Sequence, residues 1–288
     1  MDLLSRVLIL LYVTALAMSL YVRSLKLRVL RRWLGWIALV VLLGIGLHAS
    51  ALLDRDLLVC LSIAGLGLLL VETVYHWTLV RALSRSDWPL FPRFMEAQEN
   101  EGWPKEELLL RWRQQLEERG YRTISILVSP VFPQFVVRMY VMESSDRKVR
   151  LNLLCLPQGK KSPRCFLSFI SISKEGHRFL TDNVALPYGG YYPTHWQIER
   201  HPWTESILRL EERHRTRLES AQTEFEEMVE EPVAEVNDTQ EELEMFNRKQ
   251  GFLRAYDEQT PDRISPEGRY RIWKEILLVN YFGRTLYG

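Results

Sequence analysis

The sequence predicts a membrane-anchored α+β protein. Three N-terminal transmembrane helices lead into an antiparallel sheet of about five strands with flanking helices and a helical C-terminal extension. Three observations carry that reading. Two long runs near the N-terminus are almost free of charge, runs of period two fill the middle of the chain, and runs of helical period surround them. The expected division is 1–80 anchor, 81–103 juxtamembrane linker, 104–230 α+β domain and 231–288 helical extension.

The anchor comes first in the argument. Leu34–Leu53 is twenty residues without Asp, Glu, Lys or Arg, and Leu57–Trp77 is twenty-one residues with one, Glu72. A helix needs roughly 20 apolar residues to cross a bilayer core. Inside lipid the backbone must satisfy its own hydrogen bonds, so each run is expected to be a spanning helix. A third run, Val7–Val22, extends back to Leu3. It reads as a first retained span, over about 3–22, against the alternative of a signal peptide cleaved after Ala15-Leu16-Ala17. Retention is preferred because Arg23, Lys26, Arg28, Arg31 and Arg32 follow it without an acid, and basic loops stay inside.

The same rule sets the topology. Asp54-Arg55-Asp56 is short and net acidic, and Arg81 and Arg85 follow the last span. The sequence therefore predicts an integral protein of the inner (plasma) membrane with its C-terminal domain in the cytoplasm. Trp33, Trp36, Tyr75 and Trp77 fall at the inner headgroup level. Gly46 and Ser50 match Cys60 and Ala64 in depth, and such small residues either close the hairpin, the preferred reading, or form a homo-oligomer face. Glu72 and His76 are the intramembrane polar pair. Glu72 is expected to reach the interface, or to pair with His76 or the basic loop.

Beyond the linker, Lys105–Arg119 has helical spacing and Gly120 closes it. Tyr121–Val128, Phe135–Met142, Val149–Leu156, Cys165–Ser173 and His177–Thr181 then read as strands separated by turn residues. Cys155 and Cys165 should face each other across a hairpin, reduced because the domain is cytoplasmic. Ile207, Leu210, His214, Leu218, Ala221, Phe225 and Met228 form one stripe of a long helix ended by Pro232. Further helices are expected over Thr239–Tyr256 and from Ser265 to Phe282, the last packing into the core of the domain in preference to the inner leaflet.

Chemistry is poorly marked. No phosphate-binding glycine loop, HExxH, CxxC, GxSxG elbow or kinase signature is present. No cofactor or metal is expected. A net charge of +1 offers no field for nucleic acid, which leaves the lipid bilayer and a protein as the expected partners. The acidic stretch Glu224–Glu244 reads as a solvated face, with docking of a basic segment as the sharper alternative.

The polar cluster Gly176–His201 is the candidate binding region: His177, Thr181, Asp182, Asn183, Tyr188, Tyr191, Tyr192, His195 and His201. Its histidine spacings fit no ligand pattern, so a strand ending in an Asp-Asn turn and a self-packed tyrosine loop is the preferred reading. His214 reads as a satisfied core residue rather than a ligand. The function expected is a membrane-tethered cytoplasmic interaction or regulatory module. The alternative is a membrane-anchored hydrolase using His177 or His195 as base with Asp182.

Gly176-x4-Thr181-x-Asn183, the Pro/Tyr loop and Leu210-x3-His214-x3-Leu218, preceded by Gly120-Tyr121, also resemble the C-terminal domain of uncharacterised bacterial membrane-anchored proteins. The resemblance covers about Lys105–Ser220 and implies a cytoplasmic α+β domain, with no activity attached.

Overall fold

The computed structural model describes residues 25–50, 55–98, 103, 106–132, 135–158, 161–255 and 262–287. The expected first span over 3–22 lies outside them. Among the described residues two helices, not three, are long and apolar enough to cross a membrane. These are α1, Leu25–Ala49, and α2, Leu57–Arg85. At the helical rise they measure about 37 and 44 Å, against a bilayer core of about 30 Å. Leu58, Leu66, Leu70 and Val71 are 64–76% exposed, so α2 carries an apolar surface that this chain does not cover.

The basic segment is not a loop from Leu25 onward. It forms the opening turns of α1, and α2 likewise runs eight residues past Trp77 into the expected linker. The two helices touch through Gly44, where an added Cβ would strike Leu61, and through buried Cys60 and Ala64. Gly46, by contrast, has nothing near its absent side chain, so the contact lies two residues from the one read in sequence.

The rest is α+β, built on a mixed sheet of seven strands rather than an antiparallel sheet of five. Strand order follows the chain: β1 Met95–Glu96, β2 Arg122–Phe132, β3 Phe135–Glu143, β4 Arg150–Gln158, β5 Lys161–Ile172, β6 Arg178–Asp182 and β7 Trp196–Arg200. Two strands escaped the sequence reading for different reasons. β1 has only two residues, and β7 reads WQIER, too polar to stand out. β7 pairs in parallel with β6, so the tyrosine loop is the crossover between them rather than a surface excursion.

Helix α3, Glu107–Glu117, packs Leu109, Trp112 and Leu116 on one face of the sheet. There it is joined by Ile207 and Leu210 of α4, Ile207–Ser220. α4 stops at Ser220, five residues before Phe225 and eight before Met228, which would complete the stripe. Glu224 O accepts from Lys174 N and Glu226 N donates to Ile172 O, both at 2.9 Å, so this segment is recruited to the sheet instead. Phe225 then meets Phe179 edge-on. Pro232 opens a helix where it was expected to close one: α5 runs Pro232–Lys249, and a proline suits the first turn, whose N–H groups have no partner.

The last helix, α6, Pro266–Leu277, starts as expected at Ser265, whose hydroxyl accepts from Gly268 N at 3.0 Å. It continues as a π-helical turn over Leu278–Phe282. Its core is not that of the sheet. Ile272 joins Val80 of α2, Phe91, Trp196, Leu243 of α5, Phe252, Leu253 and Ile264 in a second cluster. The tail of the chain thereby returns to the anchor. Tyr281 and Phe282 lie edge-on to Trp33 of α1, and Trp273 stacks on Trp77 of α2.

Cys155 and Cys165 are direct cross-strand partners on β4 and β5, as the hairpin register requires. They are joined in a disulfide, which corrects the expectation that they are reduced.

Candidate functional site

The Gly176–His201 region divides into three environments. At the β5–β6 turn His177 is exposed and held through its backbone, its N–H donating to Ser173 Oγ at 3.2 Å and its carbonyl accepting from Ser173 N at 2.9 Å. One strand further in, alternation turns Thr181 toward the α4 side, where it is fully buried. Its hydroxyl lies 2.9 Å from His214 Nδ1, while Ser171 Oγ lies 3.1 Å from His214 Nε2. Ser171 spends its own proton on Lys148 O at 2.7 Å, so it accepts from Nε2–H and Thr181 donates to Nδ1. Burial, then the charges of Arg217 and Arg215, bring the imidazole pKa down to about 3. His214 is therefore neutral and structural, a peg between two strands and a helix.

Asp182 faces the other way. Arg200 on β7 grips it with two parallel bonds, Nε to Oδ1 at 2.8 Å and Nη2 to Oδ2 at 3.0 Å, and Val184 N donates to Oδ1. The same Nη2 donates to the buried Tyr192 phenol at 3.0 Å. Burial opposes the Arg200 charge, but Tyr192 and Asp182 outweigh it and hold the guanidinium protonated. This fork fixes β7 beside β6. Asn183 completes the turn: its Oδ1 accepts from Leu167 N and its Nδ2 donates to Thr204 O. Asp182 thus meets an arginine and a backbone amide, and neither His177 nor His195.

The crossover loop is the third environment. Asn247 of α5, fully buried, accepts from Tyr191 N and turns its Nδ2 to Tyr188 Oη, each at 2.8 Å. Gly189 has φ +71°, and a side chain there would lie 2.7 Å from Ile272 N, so only glycine lets the loop meet α6. Its N–H donates to Glu275 of α6, a fully buried carboxylate that also accepts from Leu286 N. His195 is half exposed and pairs with Glu242 of α5 at 3.0 Å, and His201 pairs with Glu199 at 2.7 Å. Thr181 and His214 are brought together, while His177, Asp182, Asn183, Tyr188 and His195 are dispersed among other contacts.

Sequence reasoning missed a larger polar centre. Arg150 on β4 is 1% exposed and bonds Glu143 on β3 at 3.1 Å and Glu235 on α5 at 2.9 Å. Arg178 reaches the second oxygen of Glu235 at 2.7 Å. No motif announces such a group. The available signal was a charge at an inward position of a strand otherwise apolar, as Arg150 is at the head of RLNLLCL.

At the membrane end, Glu72 bonds Arg32 of α1 and accepts from the Tyr281 hydroxyl, with His76 Nε2 at 4.0 Å. Trp33 Nε1 donates to Tyr281 O at 2.8 Å. Glu72 is thus the point where α1, α2 and the C-terminal turn meet. A second seam follows: Arg85 and Arg269 flank Asp262 at 2.8 and 3.1 Å, and Arg263 donates to Trp88 O at 2.7 Å.

No family model, curated protein or solved structure matches this chain. The resemblance over Lys105–Ser220 therefore remains a reading of the sequence alone. Among the described residues no three His, Cys, Asp or Glu converge as metal ligands.

Proposed function

We propose that the chain is a membrane-tethered interaction or regulatory module, carried on the cytoplasmic face of the inner (plasma) membrane and engaging a protein partner. One observation supports this reading above the rest. The domain does not hang from its anchor on a leash; it is seated on α1 and α2 by Glu72, Trp33, Trp77 and the Asp262 seam. A module held at fixed height presents one surface to partners in the membrane plane, which suits recognition or signalling. The dispersal of His177, Asp182 and His195 favours this over catalysis, because acid–base chemistry requires those groups within hydrogen-bond reach.

The cytoplasmic side follows from the charge bias of Arg23–Arg32. The Cys155–Cys165 bond weighs against it, since lasting disulfides belong to oxidising compartments. A reporter fused after Gly288, read in intact cells, decides the side. Activity confined to the cytoplasm supports the proposal, and activity outside overturns it. Site-specific photocrosslinking from exposed His177 or Gln197 in living cells then tests the partner. A discrete crosslinked band supports the module, and no band with a hydrolytic activity lost in Asp182→Asn supports the enzyme.

A further inference from the structure

Several buried arginines of this domain meet carboxylates, and others, such as Arg263 and Arg271, are each held by two oxygen acceptors; Arg28 and Arg164 have fewer. Arg150, Arg178, Arg200 and Arg215 each meet a buried carboxylate, and Arg32 meets Glu72. Arg28 on α1 and Arg164 on β5 meet none among the described residues. Arg28 is half-buried, and its Nε is closed off from solvent with no hydrogen-bond partner. Arg164 lies over the Phe166 ring at 4.8 Å and has a single backbone acceptor, Ala185 O at 3.0 Å.

Packing brings the elements that carry them together. Leu25 and Val29 of α1 sit in one cluster with Phe166 and Ala185, which brings the foot of α1 onto β5. Burial and the nearby Arg28 charge bring the Arg164 pKa down to about 10. The acid that acts on Arg28 is Glu205, which is exposed and outside ion-pair distance. Two like charges held half-buried destabilise a fold unless an anion joins them.

Their height identifies the anion. Arg28 lies six residues before the charge-free run from Leu34, about 9 Å along the helix, with Leu30 and Trp33 exposed between. The headgroup layer occupies roughly 5–8 Å beyond the hydrocarbon on each side, so the Arg28 backbone sits at its outer edge and the long side chain can reach back into it. Guanidinium groups bind phosphate oxygens through paired, charge-assisted bonds. We propose that Arg28 and Arg164 form a phosphate-binding site, occupied by the headgroup of an anionic phospholipid. The inference rests on α1 and α2 being membrane spans.

The full chain, purified in neutral detergent, is given phosphatidylglycerol or phosphatidylcholine, and retained phospholipid per chain and thermal unfolding are measured. Wild type should retain and be stabilised by phosphatidylglycerol selectively. Retention should fall roughly tenfold or more for Arg28→Gln or Arg164→Gln, the weight of one charge-assisted bond, and be unchanged for the exposed Lys26→Gln. Equal stabilisation of wild type by both lipids overturns the site without reference to any variant, as does equal retention by all three variants. Inorganic phosphate that stabilises lipid-free wild type as well as phosphatidylglycerol does keeps the site and reassigns its source to soluble phosphate, overturning the headgroup. A chain that fails to fractionate with membranes overturns the anchor reading instead, so the two failures are distinguishable.

Discussion

On the sheet face under α3 and α4, contact is mainly apolar: Leu109, Trp112, Leu116, Leu151, Leu153, Leu167, Phe169 and Leu210 meet there, with His214 as a neutral peg and, at the margin, buried Glu211 held by Arg119 and Arg215. The opposite side, where α5, the crossover loop, α6 and the anchor gather, is crowded with charge. Arg150, Glu143, Glu235, Asp182, Arg200 and Glu275 are all buried there or beside it. Apolar burial is strong but undirected, so it fixes little beyond which stripe turns inward. Buried ion pairs return little net stability, but each is costly to leave half-made. The comparison teaches that this protein covers one side by hydrophobic area and registers the other by addressed contacts. Contacts of the same addressed kind, Glu72 with Arg32 and Tyr281 and Asp262 with Arg85, seat the domain on α1 and α2.

Breaking an address should cost most. Glu235→Ala leaves buried Arg150 with Glu143 alone and Arg178 without its carboxylate, and the expected loss is about 3–5 kcal/mol in chemical unfolding of the detergent-solubilised chain. Restoring shape without charge, as Glu235→Leu with Arg150→Met, should recover much of that loss. If the single and double variants are equally destabilised, the address account of this side fails.

The apolar face has its own handle, the peg. The folded-state pKa of His214 lies at about 3, below the ordinary value near 6.5, so the unfolded chain binds the extra proton between them. Stability from this group is complete above about pH 6.5 and drains as pH falls toward 3, up to a few kcal/mol over that window. His214→Leu should flatten the acid limb of melting temperature against pH. An unchanged limb would show that the histidine is already charged in the fold.

A smaller effect separates loop from helix. Asn247→Ala removes the acceptor of Tyr191 N and should cost about 1–3 kcal/mol, with faster amide exchange in the crossover loop and none in β2–β4. Uniform acceleration across the sheet would contradict the division into two packing regions. Smallest of all, Arg111→Ala breaks an exposed pair with Glu107 and should change stability by less than about 0.5 kcal/mol.

This division also marks what could be read from the chain. Apolar periodicity located α3, the body of β2–β6 and the spanning helices, because burial acts residue by residue along an element. The Ser265 cap was legible for a local reason: its partner, Gly268, lies three residues away. Long-range address was not. Glu235 and Arg150 are 85 positions apart, and nothing near either states the pairing. Phe225 fits the helical stripe but pairs with Ser173 across the sheet, a tertiary override of pattern. His214 was read rightly as core, yet its partners Ser171 and Thr181 lie on strands whose relative placement the sequence does not fix. The tyrosine loop does pack on itself through Tyr188 and Tyr192, but its hold on α5 and α6 through Tyr188, Gly189 and Tyr191 was not legible.

The central claim, that domain and anchor form one body through the C-terminal turn, is open to a direct measurement. Spin labels at Leu79 near the end of α2 and at exposed Gln197 on β7, in lipid nanodiscs, report the distance between anchor and sheet by pulsed dipolar spectroscopy. The seated domain predicts a single narrow distribution that broadens when Glu72→Ala and Tyr281→Phe release the turn from α1 and α2. A broad distribution in the unaltered seat would contradict the claim and return the domain to a flexible tether.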